Sequence, residues 1–247
     1  MATYVCSDIH GCYKHFLELL ETINFQDTDK MYILGDVIDR SGNGGIDILR
    51  DIMKRDNIEL ILGNHEYMML NALDDIVRLK EGLHYSSSEN VLLWIDYNGG
   101  RSTYKTFKNL PLTEQNTIKK YLRKCPLIKI IEVNGKKYHL SHSFTIPTLK
   151  QEEYLLKDVT NNQAFNIVWK SLFRKDIDLH VGQSAYNGDY TYIIGHVPTD
   201  RVVYSEEPTI LRRQNVIDID CGCVYGNSTS ALACLCLEDD KEFYIVR

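Results

Sequence analysis

The chain has 247 residues, of which 44% are hydrophobic and 25% are charged, proportions that exclude a disordered or fibrous protein. The length predicts one domain with a buried core, spanning residues 1–247. A formal net charge of -6 provides no basic surface for a nucleic-acid backbone, so we expect no nucleic-acid partner.

The first third of the chain alternates between strand and helix patterns. Residues 3–6 form a short β-favouring run, and apolar residues then recur at helical spacing over residues 16–23. The next apolar run covers residues 31–34, a second helical stripe covers 46–53, and a third run covers 60–62. This alternation predicts parallel strands joined by helices, an α/β arrangement.

The remainder of the chain changes character twice. Residues 70–122 have weaker periodicity and contain the loop signal Asn98-Gly99-Gly100, and we expect a helical cap inserted over the functional site. Beyond them, Asn134-Gly135 between two β-favouring runs predicts a hairpin. The predicted strands in this part are 128–133, 136–140, 192–194, 216–219, 231–237 and 243–246. We expect them to form a second, mostly antiparallel sheet.

Three predicted strand ends carry polar motifs, SDIHG from Ser7, GDVIDR from Gly35 and GNHE from Gly63. Functional groups of open α/β sheets collect at the carboxyl ends of strands, so the three loops should converge. Asp8 and His10 are two residues apart, which would put both side chains on one face of an extended segment. Mixed oxygen and nitrogen donors of this kind favour manganese, iron or zinc over calcium.

The three motifs resemble the signature blocks of the PPP-type metallophosphatases, GD-x-HG, GD-x-x-DRG and GNHE. That family has two further isolated histidines, here His142 in LSHSF and His196 in IIGHVPT, and IDIDCGCVYG is similar to the closing strand block of its bacterial members. The resemblance implies a calcineurin-like fold, a layered α/β (α+β) protein in which a β-sandwich is flanked by helices. It also implies a phosphoric ester hydrolase.

The resemblance further implies a centre of two divalent metal ions, with manganese favoured and iron or zinc as alternatives. Its ligands in this chain would be Asp8, His10, Asp36, Asn64, His142 and His196. Asp36 would serve both ions, because a carboxylate has two oxygens to share. Water held between the two ions would attack phosphorus in line, without a phosphoenzyme.

Catalytic roles follow from the same resemblance. Arg40 would bind phosphate oxygens with its bidentate fork, and Asn64 would also contact the phosphate. His65 would be the general acid for the leaving oxygen, and Asp39 would orient it and keep it protonated. For Glu66 we expect a structural role at the helix start.

A second phosphate-binding arginine is usual in the family, often within a W-x-R segment. Here that segment is Trp169-Lys170-Ser171, which has no arginine. We expect Arg174 or Lys170 to replace it.

Several functions are compatible with these residues. A serine/threonine protein phosphatase is favoured, because symmetric bis(5'-nucleosyl)-tetraphosphate hydrolases commonly have alanine in place of Asp39 and GNHD in place of GNHE. Such a hydrolase is the alternative, and RNA 5′ ends or small phosphomonoesters also remain open as substrates. A catalytically inactive phosphoprotein-binding module is disfavoured, because all of the implied ligands are present.

The seven cysteines and the hydropathy of the chain bear on the cellular compartment of the protein. An odd number of cysteines without a regular framework favours reduced thiols. The pairs Cys221/Cys223 and Cys234/Cys236 are spaced too closely for a usual zinc knuckle, so we interpret them as core positions. With no apolar run of about 18 residues and no secretory pattern at the N-terminus, we expect a soluble, cytoplasmic protein without a membrane partner.

Overall fold

Two mixed β-sheets pack face to face in the computed structural model, which describes residues 1–80, 88–143, 150–171 and 189–246. The strands are β1 (Thr3–Cys6), β2 (Lys30–Ile33), β3 (Ile58–Leu60), β4 (Ile128–Val133), β5 (Lys136–Ser141), β6 (Glu153–Tyr154), β7 (Thr191–Ile194), β8 (Leu211–Arg213), β9 (Val216–Asp218), β10 (Ala231–Cys236) and β11 (Glu242–Val246). The helices are α1 (Tyr13–Thr22), α2 (Ile46–Ile52), α3 (Asn64–Lys80), α4 (Glu89–Val91), α5 (Arg101–Phe107), α6 (Leu112–Leu122) and α7 (Asn161–Trp169). A π-helix (Leu92–Tyr97) continues α4, and 3-10 turns occur at Leu156–Asp158 and Thr199–Arg201.

The first sheet has the order β11-β10-β1-β2-β3. Strands β1, β2 and β3 are parallel, which confirms the α/β prediction for the first third of the chain. The assignment of the last two strands to the second sheet was wrong. Strand β10 instead pairs antiparallel with β1, and β11 extends that edge.

The second sheet has the order β6-β4-β5-β7-β9-β8. Its centre is parallel, because β5 pairs with β7 and β7 with β9 in that sense, whereas its outer pairings are antiparallel, so the sheet is mixed. The predicted hairpin joins β4 to β5. Strands β6 and β8 were not predicted, since two and three residues are too few to show an alternating pattern.

Strand alternation divides the interior into two apolar layers. Val5 of β1 and Leu235 of β10 lie between the sheets, against Leu140 of β5. Their neighbours Cys6 and Cys234 face the opposite side and pack among the helices. The first sheet is thus covered on both faces, which explains why its strands are almost uninterruptedly apolar.

The segment 70–122 is helical where the structure describes it, beginning within α3. Trp94, Phe107, Ile118 and Leu122 belong to the same buried layer as the helix-facing side of the first sheet. The segment therefore shares the core of the rest of the chain. Its role as a cap, like the treatment of the chain as one domain, stays a prediction. Within the described ranges, no helix combines the length and the apolar character needed to cross a bilayer.

The closely spaced cysteine pairs do not come together. Cys221 packs between the two sheets, whereas Cys234 and Cys236 lie on the helix-facing side of β10. All seven cysteines are thiols in the structure. None of these three cysteines belongs to a metal-compatible cluster within the residues that the structure describes.

Candidate metal centre and phosphate-binding cleft

Tight left-handed turns shape the loops that follow β1, β2 and β7. Positive φ angles occur at Asp8 (51°), His10 (45°), Asp36 (53°), Asp39 (73°), Arg40 (66°) and His196 (79°). A residue other than glycine adopts the left-handed backbone conformation at a cost on the order of 1–3 kcal/mol. Residues in this conformation cluster at functional sites. The expectation of an extended segment at Asp8 and His10 was wrong, because successive left-handed turns bring these two side chains together.

The carboxylate of Asp36 lies at the centre of the converging side chains. Its Oδ2 is 3.6 Å from His10 Nε2, and its Oδ1 is 3.5 Å from His142 Nε2. His10 Nε2 also lies 3.9 Å from Asp8 Oδ1. Asp36 thus separates two groups of donors, one on the side of His10 and one on the side of His142.

Several donor atoms in this centre point lone pairs at one another. His142 Nδ1 lies 2.6 Å from the Leu34 carbonyl oxygen, so Nδ1 carries the proton and Nε2 carries a lone pair. That lone pair faces Asn64 Oδ1 at 2.9 Å, and His196 Nδ1 lies 3.2 Å from the same oxygen. Facing acceptors repel unless a cation lies between them. Rotating the amide of Asn64 would place its NH2 there instead, but a metal requires the oxygen.

The electrostatics of the centre also suit cations. Burial lowers the pKa of His10 and of His196 well below the usual value, and neutral imidazole is the form that binds metals. Burial raises the pKa of Asp36 well above its usual value, and the charges of Asp8 and Glu66 add to the effect. Bound divalent cations would reverse this penalty on the ionised carboxylate. The donor set therefore fits a pair of transition-metal ions.

His65 is held beside this centre by a buried carboxylate. Asp39 Oδ2 accepts hydrogen bonds from His65 Nδ1 at 2.6 Å and from Trp94 Nε1 at 2.9 Å. The Thr103 hydroxyl donates to the other oxygen of Asp39. On its far side, His65 Nε2 lies 3.1 Å from Arg40 Nη2 and must accept, because a guanidinium only donates.

The charge state of His65 differs from the expectation. Burial lowers its pKa well below the usual value, and the nearby Arg40 adds to that effect. Burial also raises the pKa of Asp39 to about 7, although hydrogen bonds from Thr103 and Trp94 oppose the rise. Asp39 orients the imidazole, but this arrangement does not keep His65 protonated.

The helical segment contributes directly to the site, which the sequence did not indicate. Trp94 lies in the π-helix (Leu92–Tyr97), a helix type often found at functional sites. Thr103 lies in α5, and the Gly99 carbonyl between them accepts from the Arg40 backbone N–H at 3.2 Å. Asp39 and Arg40 are therefore both fixed by residues from the predicted cap.

Glu66 binds backbone rather than substrate. Its carboxylate accepts hydrogen bonds from the N–H groups of Asp36 (2.9 Å), Val37 (2.9 Å), Ile38 (3.3 Å) and Gly63 (3.1 Å). It thereby ties the loop after β2 to the loop after β3. Glu66 is fully buried and therefore has a structural role in holding these loops.

Replacing Glu66 with glutamine should destabilise the fold. One end of the new amide would face two N–H donors with its own NH2, and an unsatisfied buried donor costs about 1–3 kcal/mol. We expect the free energy of unfolding to fall by roughly 2–4 kcal/mol in urea titrations. Glu114→Gln, at a surface ion pair with Arg50, is the control and should leave the free energy of unfolding nearly unchanged. Equal stability of the two variants would contradict this role for Glu66.

Two glycines allow the loops to approach each other closely. A Cβ on Gly63 would lie 2.3 Å from Asp36 Oδ1, and a Cβ on Gly35 would lie 2.5 Å from Gly63 Cα. Gly35 also has a φ of +84°. The two strand ends can come together around Asp36 only because both positions lack a side chain.

A cleft of about 490 Å³ opens beside Asn64 and His196. Arg40 and Arg201 both line the cleft. The guanidinium carbon Cζ lies 5.9 Å from the ring centre of Tyr225 in Arg40 and 4.8 Å from it in Arg201. Arg40 Nη1 also donates a hydrogen bond to the Tyr225 hydroxyl at 3.2 Å. Two guanidinium groups at one ring repel each other and so favour an anion between or beside them.

The second cationic group of the cleft was not foreseen. Arg174 lies outside the described residues. Lys170 follows α7, where its carbonyl accepts from the Ser143 hydroxyl at 2.8 Å. Arg201 occupies the cleft instead. The sequence does contain a feature that points to Arg201, because this residue follows His196 closely in GHVPTDR. Without the fold, however, nothing distinguished Arg201 from an arginine at the surface.

Comparison with known proteins links the chain to one family. Residues 1–226 match the family model described as calcineurin-like phosphoesterase. A symmetrical bis(5'-nucleosyl)-tetraphosphatase of Nitrosomonas europaea is 35% identical over 103 residues, which cover 38% of this chain and 38% of that protein. The match to this relative therefore extends over well under half of either protein.

Solved structures with the same fold include proteins of different activity. One, provisionally assigned as a diadenosine tetraphosphatase, aligns with a TM-score of 0.65 at 16% identity over 99% of this chain and 92% of its own. A protein serine/threonine phosphatase from Saccharomyces cerevisiae aligns with a TM-score of 0.60 at 14% identity, over 100% and 80% respectively. At such identities the similarity is one of fold alone.

Proposed function

This chain belongs to the calcineurin-like phosphoesterase family and is thus a phosphoric ester hydrolase, and we propose that its reaction centre is built around Asp36. The observation that carries the proposal is the convergence of histidine lone pairs and carboxylate and amide oxygens on the two sides of that carboxylate. The arginine-lined cleft lies directly beside it.

The implied ligands divide into two sets about Asp36. Asp8 and His10 would hold one divalent ion, with Asp36 as the shared ligand. Asn64, His142 and His196 would complete the other set. Two bound ions, manganese in our proposal, would lower the pKa of a water between them and neutralise charge on the phosphate.

The remaining groups of the chain would bind the substrate and move a proton. Arg40 would bind phosphate oxygens, a role supported by the reach of its guanidinium to both the cleft and His65. Once phosphate draws Arg40 away, its negative charge would favour the imidazolium, and Nε2 would take up a proton from solvent and then give it to the leaving oxygen. Asp39 would accept the hydrogen bond from Nδ1 throughout, which orients the ring and stabilises its protonated form during the transfer.

We propose dinucleoside polyphosphates as the substrate class, with symmetrical cleavage. Arg201 supports this choice, because a second cation along the cleft could bind phosphates beyond the one held by Arg40. Trp169 lines the same cleft and stacks on Phe165 at 5.5 Å, which offers an aromatic surface for a base. The relative from Nitrosomonas europaea is consistent with the choice.

A serine/threonine protein phosphatase is the second candidate. The buried pair of Asp39 and His65 favours it, because a serine or threonine alkoxide is a poor leaving group and needs a positioned acid. The substrate would then be a phosphorylated protein, and the same cleft would receive the phosphorylated side chain.

Initial rates on diadenosine tetraphosphate, a phosphoserine peptide and a phosphotyrosine peptide, each with added manganese, separate the two candidates. We expect kcat/KM for the dinucleotide to exceed both others by about 10-fold or more, with ADP as its only product. A faster reaction on the phosphoserine peptide would assign the second candidate and overturn the first.

Replacing Arg201 with alanine tests how the cleft binds its substrate. We expect KM for diadenosine tetraphosphate to rise about 10-fold, since a charge-assisted contact contributes on the order of 1.4 kcal/mol. The KM for nitrophenyl phosphate, which has a single phosphate, should stay nearly unchanged. Arg123→Ala, at an exposed ion pair with Asp74, is the control. An equal rise for both substrates would show that Arg201 grips the same phosphate as Arg40.

A further inference from the structure

A second group of metal-compatible side chains lies outside the reaction centre. The donor atoms of Cys12, His15 and Cys223 are all within 4.8 Å of one another. Cys12 and His15 are half-buried, and Cys223 is 3% exposed. The cluster can therefore be reached from solvent, yet its third donor comes from the interior.

Distant parts of the chain contribute to this cluster. Cys12 is the residue that precedes the first turn of α1, and His15 lies three residues further on, one turn along the same face. Cys223 comes from the loop between β9 and β10 and follows Gly222, whose φ is +66°. A residue pair close in sequence and a third donor about 200 positions away are typical of a built metal site.

The side chain of Cys12 is not used for helix capping. Its position is one where serine, threonine, aspartate or asparagine usually caps the helix, but no hydrogen bond from α1 reaches the Cys12 side chain. The sulfur instead turns toward Cys223, to which it is hydrogen-bonded. Both sulfurs and the imidazole thus face one another.

The chemistry of this set differs from that of the reaction centre. Two thiolates and one imidazole are soft donors that favour zinc, whereas the ligands around Asp36 are oxygen and nitrogen atoms. In a tetrahedral zinc site, bonds of about 2.0–2.3 Å put neighbouring donors about 3.4–3.8 Å apart. Side-chain shifts of about 1 Å would bring the present cluster to that geometry.

We propose that Cys12, His15 and Cys223 bind one zinc ion at a site separate from the reaction centre, with water as the fourth ligand. The ion would join the loop that carries Asp8 and His10 to the loop after β9, and so stabilise the turns at one edge of the reaction centre. Zinc binds when the two thiols lose their protons to solvent, and no redox step is involved.

Cobalt substitution of the reduced, metal-stripped full-length protein tests the site without measuring turnover. Thiolate-to-cobalt charge-transfer absorption should appear in the wild type, because the proposed site is the one metal-compatible cluster with sulfur donors among the residues that the structure describes. The double variant Cys12→Ser with Cys223→Ser should lose the band. His15→Gln should retain it with roughly 10- to 100-fold weaker cobalt binding. Zinc should displace the cobalt and remove the absorption.

Cys125→Ser, which removes a buried thiol elsewhere, is the matched control and should keep the full band. If the double variant does not fold, Cys12→Ser alone can be used, because Cys12 is only half-buried, and the band should fall by half or more. A reduced wild type without charge-transfer absorption, or a band of equal strength in the Cys12 variant, would overturn the proposal.

Discussion

The variant Asp36→Asn should lose at least about 1,000-fold in kcat on any phosphoester substrate. Asp36 is the side chain that faces both groups of donors, at 3.6 Å from His10 and 3.5 Å from His142. An amide has one oxygen donor and no charge, so it cannot bridge two cations or offset their repulsion. Rates with saturating manganese, together with elemental analysis of the dialysed protein, would measure the loss of turnover and of metal.

The control for this variant is Asp47→Asn, in the first turn of α2, where the carboxylate binds Arg50 at the surface. It makes the same chemical change away from the centre and should retain nearly full activity. Near-normal turnover in Asp36→Asn with a full complement of metal would refute the proposed two-ion arrangement. Loss of activity in both variants would indicate a general effect on the fold instead.

Replacing His65 with asparagine should slow the hydrolysis of a phosphoserine peptide by about 100- to 10,000-fold, the usual effect of removing a general acid. The same variant should lose far less on diadenosine tetraphosphate, because a diphosphate departs readily without protonation. His65 lies between Asp39 and Arg40, and its Nε2, on the side of Arg40, is the nitrogen available to a leaving oxygen. The ratio of kcat values between the two substrates is the measurement.

Nitrophenyl phosphate provides the internal control for His65→Asn, since its leaving group also needs no proton. We expect its rate to follow that of the dinucleotide. An equal loss on all three substrates would show that His65 acts by positioning Arg40 rather than by giving up a proton. Circular dichroism of the variant would verify that removing a fully buried ring leaves the fold intact.

Local patterns in the sequence were sufficient for much of the fold. The strands β1, β2, β4, β5, β7, β9, β10 and β11 follow from short apolar runs and from the turn at Asn134-Gly135, where both residues have positive φ. Partnership between strands was harder to predict. That β10 pairs with β1 depends on contacts between residues such as Val5 and Leu235, which no short window of sequence contains.

The candidate metal centre could also be predicted only in part. The types and the order of the six candidate ligands were visible as motifs, and the structure brings these residues together. The roles of Trp94, Thr103 and Arg201 were not visible, because a tryptophan, a threonine or an arginine in a helical segment is ordinarily part of a core or a surface. The backbone-binding role of Glu66 also needed coordinates, since its partners lie in another loop.

Thermal stability and activity place opposite demands on the residues in left-handed turns, which are Asp8, His10, Asp36, Asp39, Arg40 and His196. Each of these positions would be more relaxed as glycine, so a screen that selects only for heat resistance should repeatedly recover glycine there. The recovered proteins would be robust and inactive. Directed evolution of this enzyme therefore needs a turnover assay in every round, and these six codons are best kept fixed.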